Sequence, residues 1–281
     1  MKLMRLAIAL TAAAAAIAAA GVAYAGPSVE IRDAVARVTV IPEDRTDVKV
    51  EMLTTNAALP IEVRSEGSTT VISGNLAHRI SDCHTKGDHP SAWVRGVGEI
   101  SYDNMPQVVI RTPKAVVMET GGAVYGAVGR GATSLDLENS GCSGWTVADV
   151  SGEVNLRESG AGSAKMGSAG KLALRLSGAG SVHATTVRQG LDATLSGAGS
   201  VNIEDLSGPV QAHVSGVGHI RAEQGHATTV HASVSGVGGV ELGGDAQSLD
   251  ASISGFGGIR VKSVSGQVTK SVSGGGHVTV G

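Results

Sequence analysis

Ser196-Gly197-Ala198-Gly199-Ser200-Val201, with Leu191-Asp192-Ala193-Thr194-Leu195 just before it, decides the fold. The tetrapeptide Ser-Gly-X-Gly starts at Ser159, Ser177, Ser196, Ser215, Ser235, Ser254 and Ser273, in steps of 18 to 20 residues. A fixed period of this length with a Gly-rich corner predicts one turn of chain per repeat, stacked on the last. Aligned on their serines, the repeats resolve into columns. After the motif come Val182/Ala184, Val201/Ile203, Ile220/Ala222, Val240/Leu242, Ile259/Val261 and Val278/Val280, each pair enclosing a polar or charged residue such as Asn202 or Arg221. Before it come Leu191/Ala193/Leu195, Val210/Ala212/Val214, Val230/Ala232/Val234 and Leu249/Ala251/Ile253. Side chains alternate across a strand, so these columns face inward: large, small, large. The fold class is therefore all-β, a parallel β-helix or β-solenoid with coils of about 19 residues, and such crossovers are strongly right-handed. Glycine at two corner positions answers to tight bends and stacked corners without room for side chains. Serine there can satisfy turn backbone groups.

Outward from this ladder, Thr120-Gly121-Gly122 and Ser140-Gly141 read as two degenerate coils. Residues 119–281 form the regular part and residues 26–118 an irregular strand-rich part continuous with it. Residues 1–25 read as a secretory signal peptide: Lys2 and Arg5, an apolar run from Leu6 to Ala20, and cleavage after Ala25 in Ala23-Tyr24-Ala25. The protein is then exported, to periplasm, cell surface or medium. In an oxidising compartment Cys83 and Cys142 form a disulfide by default. In the chain-entropy model so long a loop makes it worth roughly 4 kcal/mol. A formal net charge of −3 over 281 residues lacks the basic stripes that nucleic acid requires. Two Trp, three Tyr and one Phe against 41 Gly fit a narrow coil filled by Val, Ile, Leu and Ala.

The residues Ser-Gly-X-Gly-(Ser/His/Gly)-(Val/Ile), with alternating strands between, resemble the head GIN domain of the autotransporter-adhesin family. Val108 to Gly122, with Thr112-Pro113 ahead of an apolar strand, is similar to it as well. The resemblance spans roughly Val35 to Val280 and implies an exported bacterial β-solenoid. The sequence ends at Val280-Gly281 without the ~10-residue strands of a translocator barrel, so surface display is expected to need other machinery.

Several constellations are candidate sites. Asp82, His84, Asp88 and His89 could offer donors to a divalent metal, but their spacing matches no standard pattern, and we read His78 to Asp103 as a polar loop tied down by Cys83. Glu119, Asn139 and Glu158 fall in a column that later coils fill with Leu176, Leu195 and Val214. We expect an earlier bend to turn that column to water there, a cation or ligand site being the alternative. The burial of Glu158 decides. Arg221, Glu241 and Arg260 alternate in charge and read as a stabilised face. His219 and His277 share a column three coils apart, too far for one ion. Lys270 breaks the small inward column and marks the end of the solenoid. The X positions Ala161, Ala179, Ala198, Val217, Val237 and Phe256 are the first suspects for a contact face, if they point outward.

No Gly-X-Ser-X-Gly elbow, P-loop or His-Glu-X-X-His helix occurs, and no cofactor is expected. The columns show no convergent carboxylates and little aromatic surface for sugar stacking. The expectation is a non-enzymatic, adhesin-like or envelope-associated protein that meets an envelope or cell-surface polymer or protein. The rivals are a β-helix carbohydrate-active enzyme and a periplasmic scaffold self-associating through its C-terminal coil.

Overall fold

The computed structural model describes residues 26–86 and 89–281. The leader, its cleavage site and Asp88 lie outside the described residues. Among the described residues no helix is long and apolar enough to cross a membrane.

The repeats stack as parallel coils. Ala179–Val187 lies on Ala161–Ala169, Ala198–Val214 on Ala179–Val187, and Val217–Val234 on Ala198–Val214, each X residue paired with the X residue of the next coil. The second column set stacks likewise, Leu172–Leu176 on Val154–Glu158 and Leu191–Leu195 on Leu172–Leu176. The inward residues are those expected: Leu174, Leu195, Val201, Ile203, Ile220 and Ile259 are all buried. Each large aliphatic side chain so placed contributes about 1.5–3 kcal/mol of apolar burial. Trp145 fits inside because the facing rung is Gly126, where a Cβ would lie 2.4 Å from the indole.

The corners work differently from the local-turn reading. Gly178, Gly197, Gly216 and Gly236 do not adopt positive φ. Their requirement is close approach: a Cβ on Gly197 would lie 2.0 Å from the Gly178 carbonyl oxygen. The serines bond along the stack, not within their own turn. Ser196 donates its amide (2.9 Å) and its hydroxyl (3.5 Å) to the carbonyl of Leu176, and Ser215 does the same with Leu195. One carbonyl with two lone pairs serves both donors.

Stacking begins before the clean repeats. Ser28–Glu43 pairs in parallel with Ala115–Val128 on one side. Its other side carries two shorter parallel strands, Thr69–Ser73 and Gln107–Pro113. These in turn take antiparallel partners, Glu62–Glu66 and Lys49–Thr54, which close that end of the stack. The closing strands carry charges, with Arg64 bonded to Glu66 and Lys49 to Glu51, a common way of blunting a sheet edge. At the opposite end Val268 and Val272 are 39% and 46% exposed, and the Lys270 ammonium reaches the Val278 carbonyl at 3.4 Å.

The segment expected as a loop is a three-stranded antiparallel meander of Ile80–Lys86, His89–Val94 and Gly98–Ser101. The disulfide Cys83–Cys142 joins it to the coils across a sequence separation of 59, with a Cα–Cα distance of 6.2 Å. Beneath it lies a second small core of Val35, Ala92, Val94, Ile100, Ala123 and Tyr125.

Candidate functional site

The X column is the first surface to place. In register it runs Val35, Ala123, Cys142, Ala161, Ala179, Ala198, Val217 and Val237. Phe256 follows, its amide bonded to Gly236 at 3.2 Å. Because each X residue stands one position from an inward glycine, the column points outward. Its first three members are covered by the meander, and from Ala161 onward it is bare. The side chains grow along the stack, and Val217, Val237 and Phe256 are 63%, 55% and 77% exposed. The five steps from Ala161 to Phe256 make a strip roughly 24 Å long. On one side lie the exposed motif serines. On the other, two residues on, stand His219 and His277 with Gly239 and Gly258 on the rungs between them. Beyond these come Arg221 and Glu241, paired at 3.8 Å, and Arg260.

The proposed polar column needs a correction. Glu119 is not in it: Thr120 pairs with Asn139, and Asn139 with Glu158. The offset arises because Gly121, not Thr120, occupies the rung of Ser140, after a register shift between Ile31 and Ala34 on the neighbouring strand. Nor does the column face water. Thr120, Asn139 and Glu158 are all buried. Thr120 Oγ1 donates to Asn139 Oδ1 on the next rung, and Ser143 Oγ donates to Glu158 Oε2 at 3.0 Å, while the buried Asn139 Nδ2 makes no hydrogen bond of ordinary length and angle. The Gly160 amide donates to Glu158 Oε1 at 3.1 Å. The carboxylate fills space that opens because Gly162 lacks a Cβ. Burial pushes the Glu158 carboxyl above the usual carboxylate range, against the pull of Ser143, Gly160 and Asn139. A buried and satisfied carboxyl of this kind is an interior bracket between rungs.

Glu119 belongs to an outer column that sequence reasoning missed. Glu30, Glu119 and Glu138 stack on three successive rungs, followed by Arg157 and Arg175. Glu30, Glu119, Glu138 and Arg157, with Asp136, line a groove of about 190 Å³. Convergent carboxylates therefore exist, contrary to the column reading. Arg157 bonds Asp136 at 2.7 Å, and Arg32 bonds Glu30. Burial, then the charges of Glu30 and Glu138, raise the Glu119 carboxyl. Alignment of Thr120 with Asn139 places Glu119, Glu138 and Arg157 in one column, whereas Glu30 joins it from a strand outside the repeat.

On the meander, His84 Nε2 lies 3.2 Å from Asp82 Oδ2 in an exposed pair, and His89 is exposed. No group of three or more His, Cys, Asp or Glu side chains is placed to hold a metal ion among the described residues.

A family model described as "Putative auto-transporter adhesin, head GIN domain" matches residues 107–264. Among solved structures, a putative adhesin from Parabacteroides distasonis ATCC 8503 aligns with TM-score 0.50 and 17% identity, over 91% of this chain and 93% of its own. A putative adhesin from Parabacteroides merdae ATCC 43184 gives 0.50 and 15%, over 91% and 92%. A putative lipid binding protein from the same Parabacteroides distasonis strain gives 0.45 and 20%, over 91% and 93%. At these identities the likeness to solved structures shows the fold alone. No curated protein matches the chain.

Proposed function

The chain belongs to the family of the putative auto-transporter adhesin head GIN domain, and on that premise we propose that it is an exported, non-enzymatic, adhesin-like protein that binds through its bare X column. The observation that carries this reading is the row Val217, Val237 and Phe256, exposed on a rigid ladder and continuous with rungs that already hold a docked β-meander. Contiguous exposed apolar surface on a soluble scaffold marks interaction sites. The rungs are fixed by neighbouring coils, so a partner would meet a pre-organised face and little ordering would oppose binding. Phe256 is the anchor by size and exposure. Removal of such an aromatic anchor typically costs 2 kcal/mol or more, about thirtyfold in affinity.

The test is binding of purified protein to whole cells and to isolated envelope polymers. Phe256→Asp with Val217→Asp should lower binding at least tenfold. Thr194→Asp, on another face, should leave it unchanged. Equal binding by all three proteins would refute the column as the contact face. Fractionation with surface protease shaving tests the location, since confinement to the periplasm is incompatible with adhesion.

A second reading is supported by the groove of Glu30, Glu119, Asp136, Glu138 and Arg157: a carbohydrate-active enzyme acting on a polysaccharide. Glu119, raised by burial and by neighbouring charge, would be its acid. Release of reducing ends or unsaturated sugars from envelope polysaccharide, abolished by Glu119→Gln, would establish it.

A further inference from the structure

Tyr102 and Tyr125 meet where the meander joins the coils, and the buried Trp145 lies on the rung of Gly126 beside them. Between meander and coils opens a cleft of about 260 Å³, with Pro90 and Tyr102 on the meander side and Tyr125, Gly144, Ser163 and Lys165 on the coil side. Its walls are held in place. The Tyr102 and Tyr125 rings meet edge to face, centroids 6.3 Å apart at 75°. The Arg37 guanidinium sits 5.1 Å from the Tyr102 ring centroid. The disulfide at Cys142 fixes the meander two residues before Gly144. Gly144 keeps the floor low, since a Cβ there would come within 3.0 Å of the Tyr125 ring. The coil rim carries the hydroxyls of Thr146 and Ser163. Lys165 makes no ion pair among the described residues, so its ammonium is available to a ligand.

We propose that this cleft binds one carboxylated sugar ring. The volume lies below the ~300–1,000 Å³ of pockets for drug-sized molecules and suits a single ring. An aromatic face is electron-rich and attracts the weakly positive C–H face of a sugar. Rim hydroxyls match sugar hydroxyls, and the Lys165 ammonium matches a carboxylate. Pro90 and Tyr102 lie outside the stretch matched by the family model, and the coil side of the cleft lies within it. The site is separate from the X column and does not rest on the adhesin reading.

The test uses methyl glucuronide and methyl glucoside, which differ by the carboxylate alone, with the disulfide-intact protein in saturation-transfer NMR and titration. Transfer to the ring protons of the glucuronide is expected, with about tenfold weaker binding of the glucoside. Lys165→Gln should abolish that preference, and Tyr102→Ala should abolish transfer. Should Tyr102→Ala loosen the meander, Ser163→Phe blocks the cleft from an exposed rung and should do the same. Phe256→Asp should have no effect. No transfer to either glycoside, equal affinity for both, a preference that survives Lys165→Gln, or transfer that survives Ser163→Phe overturns the proposal.

Discussion

Replacing Gly197 by alanine tests whether the corner glycines serve close approach. The added Cβ would lie 2.0 Å from the Gly178 oxygen and 2.5 Å from that of Ser177. Carbon and oxygen normally meet at about 3.3 Å, so the coils must part locally by roughly 1.3 Å. The bonds from Ser196 to Leu176 (2.9 Å) and from Ala198 to Gly178 (3.1 Å) would stretch with them. Overpacking costs about 1–3 kcal/mol, and each weakened bond about 1 kcal/mol. Reduced freedom of the unfolded chain returns about 0.5 kcal/mol. The net expectation is a loss of about 3 kcal/mol, or ~6–12 °C in melting midpoint for a domain of this size. Circular dichroism melts of the oxidised protein measure it. Ala198→Ser, one residue along but outward, is the control and should change stability by less than about 0.5 kcal/mol. A Gly197→Ala melt within ~1.5 °C of the parent would refute the reasoning.

Three further outcomes follow from the interior and the clamp. The folded Glu158 carboxyl titrates above its unfolded value, so its stabilising share is complete below about pH 4.3 and is lost as pH rises through the raised value. The melting point of the parent relative to Glu158→Gln should therefore fall between pH 4.5 and pH 7; a constant difference would contradict a buried, proton-holding carboxyl. Cys83→Ser with Cys142→Ser should raise amide exchange across Ile80–Ser101 while the rungs from Ala179 onward stay protected, and equal exchange before and after would show that the meander holds without its clamp. Asp149 accepts the Ser168 amide at 2.7 Å and hydroxyl at 2.9 Å, which hold its carboxyl below the usual range. Asp149→Ala should lower stability at pH 7, and by less as pH falls and the acid protonates, as chemical denaturation at two pH values would read.

The inward and outward columns were legible because strand parity and a step near 19 residues determine them together. Val201, Ile203 and Leu195 could be placed by counting alone. The polar interior was not, because Glu158 finds its partner in Ser143, on a different strand of the coil, and column counting sees only neighbours along the stack. Glu119 was misplaced by one residue since a glycine pair resembles the motif equally well in either register. The acidic stack needs Glu30, from a strand whose pairing with residues 115–128 leaves no mark in the repeat. The meander was hidden for a similar reason: its strands pair antiparallel, and their apolar residues face a core supplied by Val35 and Ala123.

The position of Ser28–Glu43 between two layers bears on the order of folding. Its partners lie at residues 69–73, 107–113 and 115–128, so its ladders must wait until those segments are available. The later coils find their neighbours about one repeat away. Closing a short loop loses less chain entropy than closing a long one, and non-local pairing slows folding. Assembly should therefore nucleate among the Gly-rich repeats and proceed backward along the chain. The first described strand would be among the last to pair, and its arrival would seal the molecule.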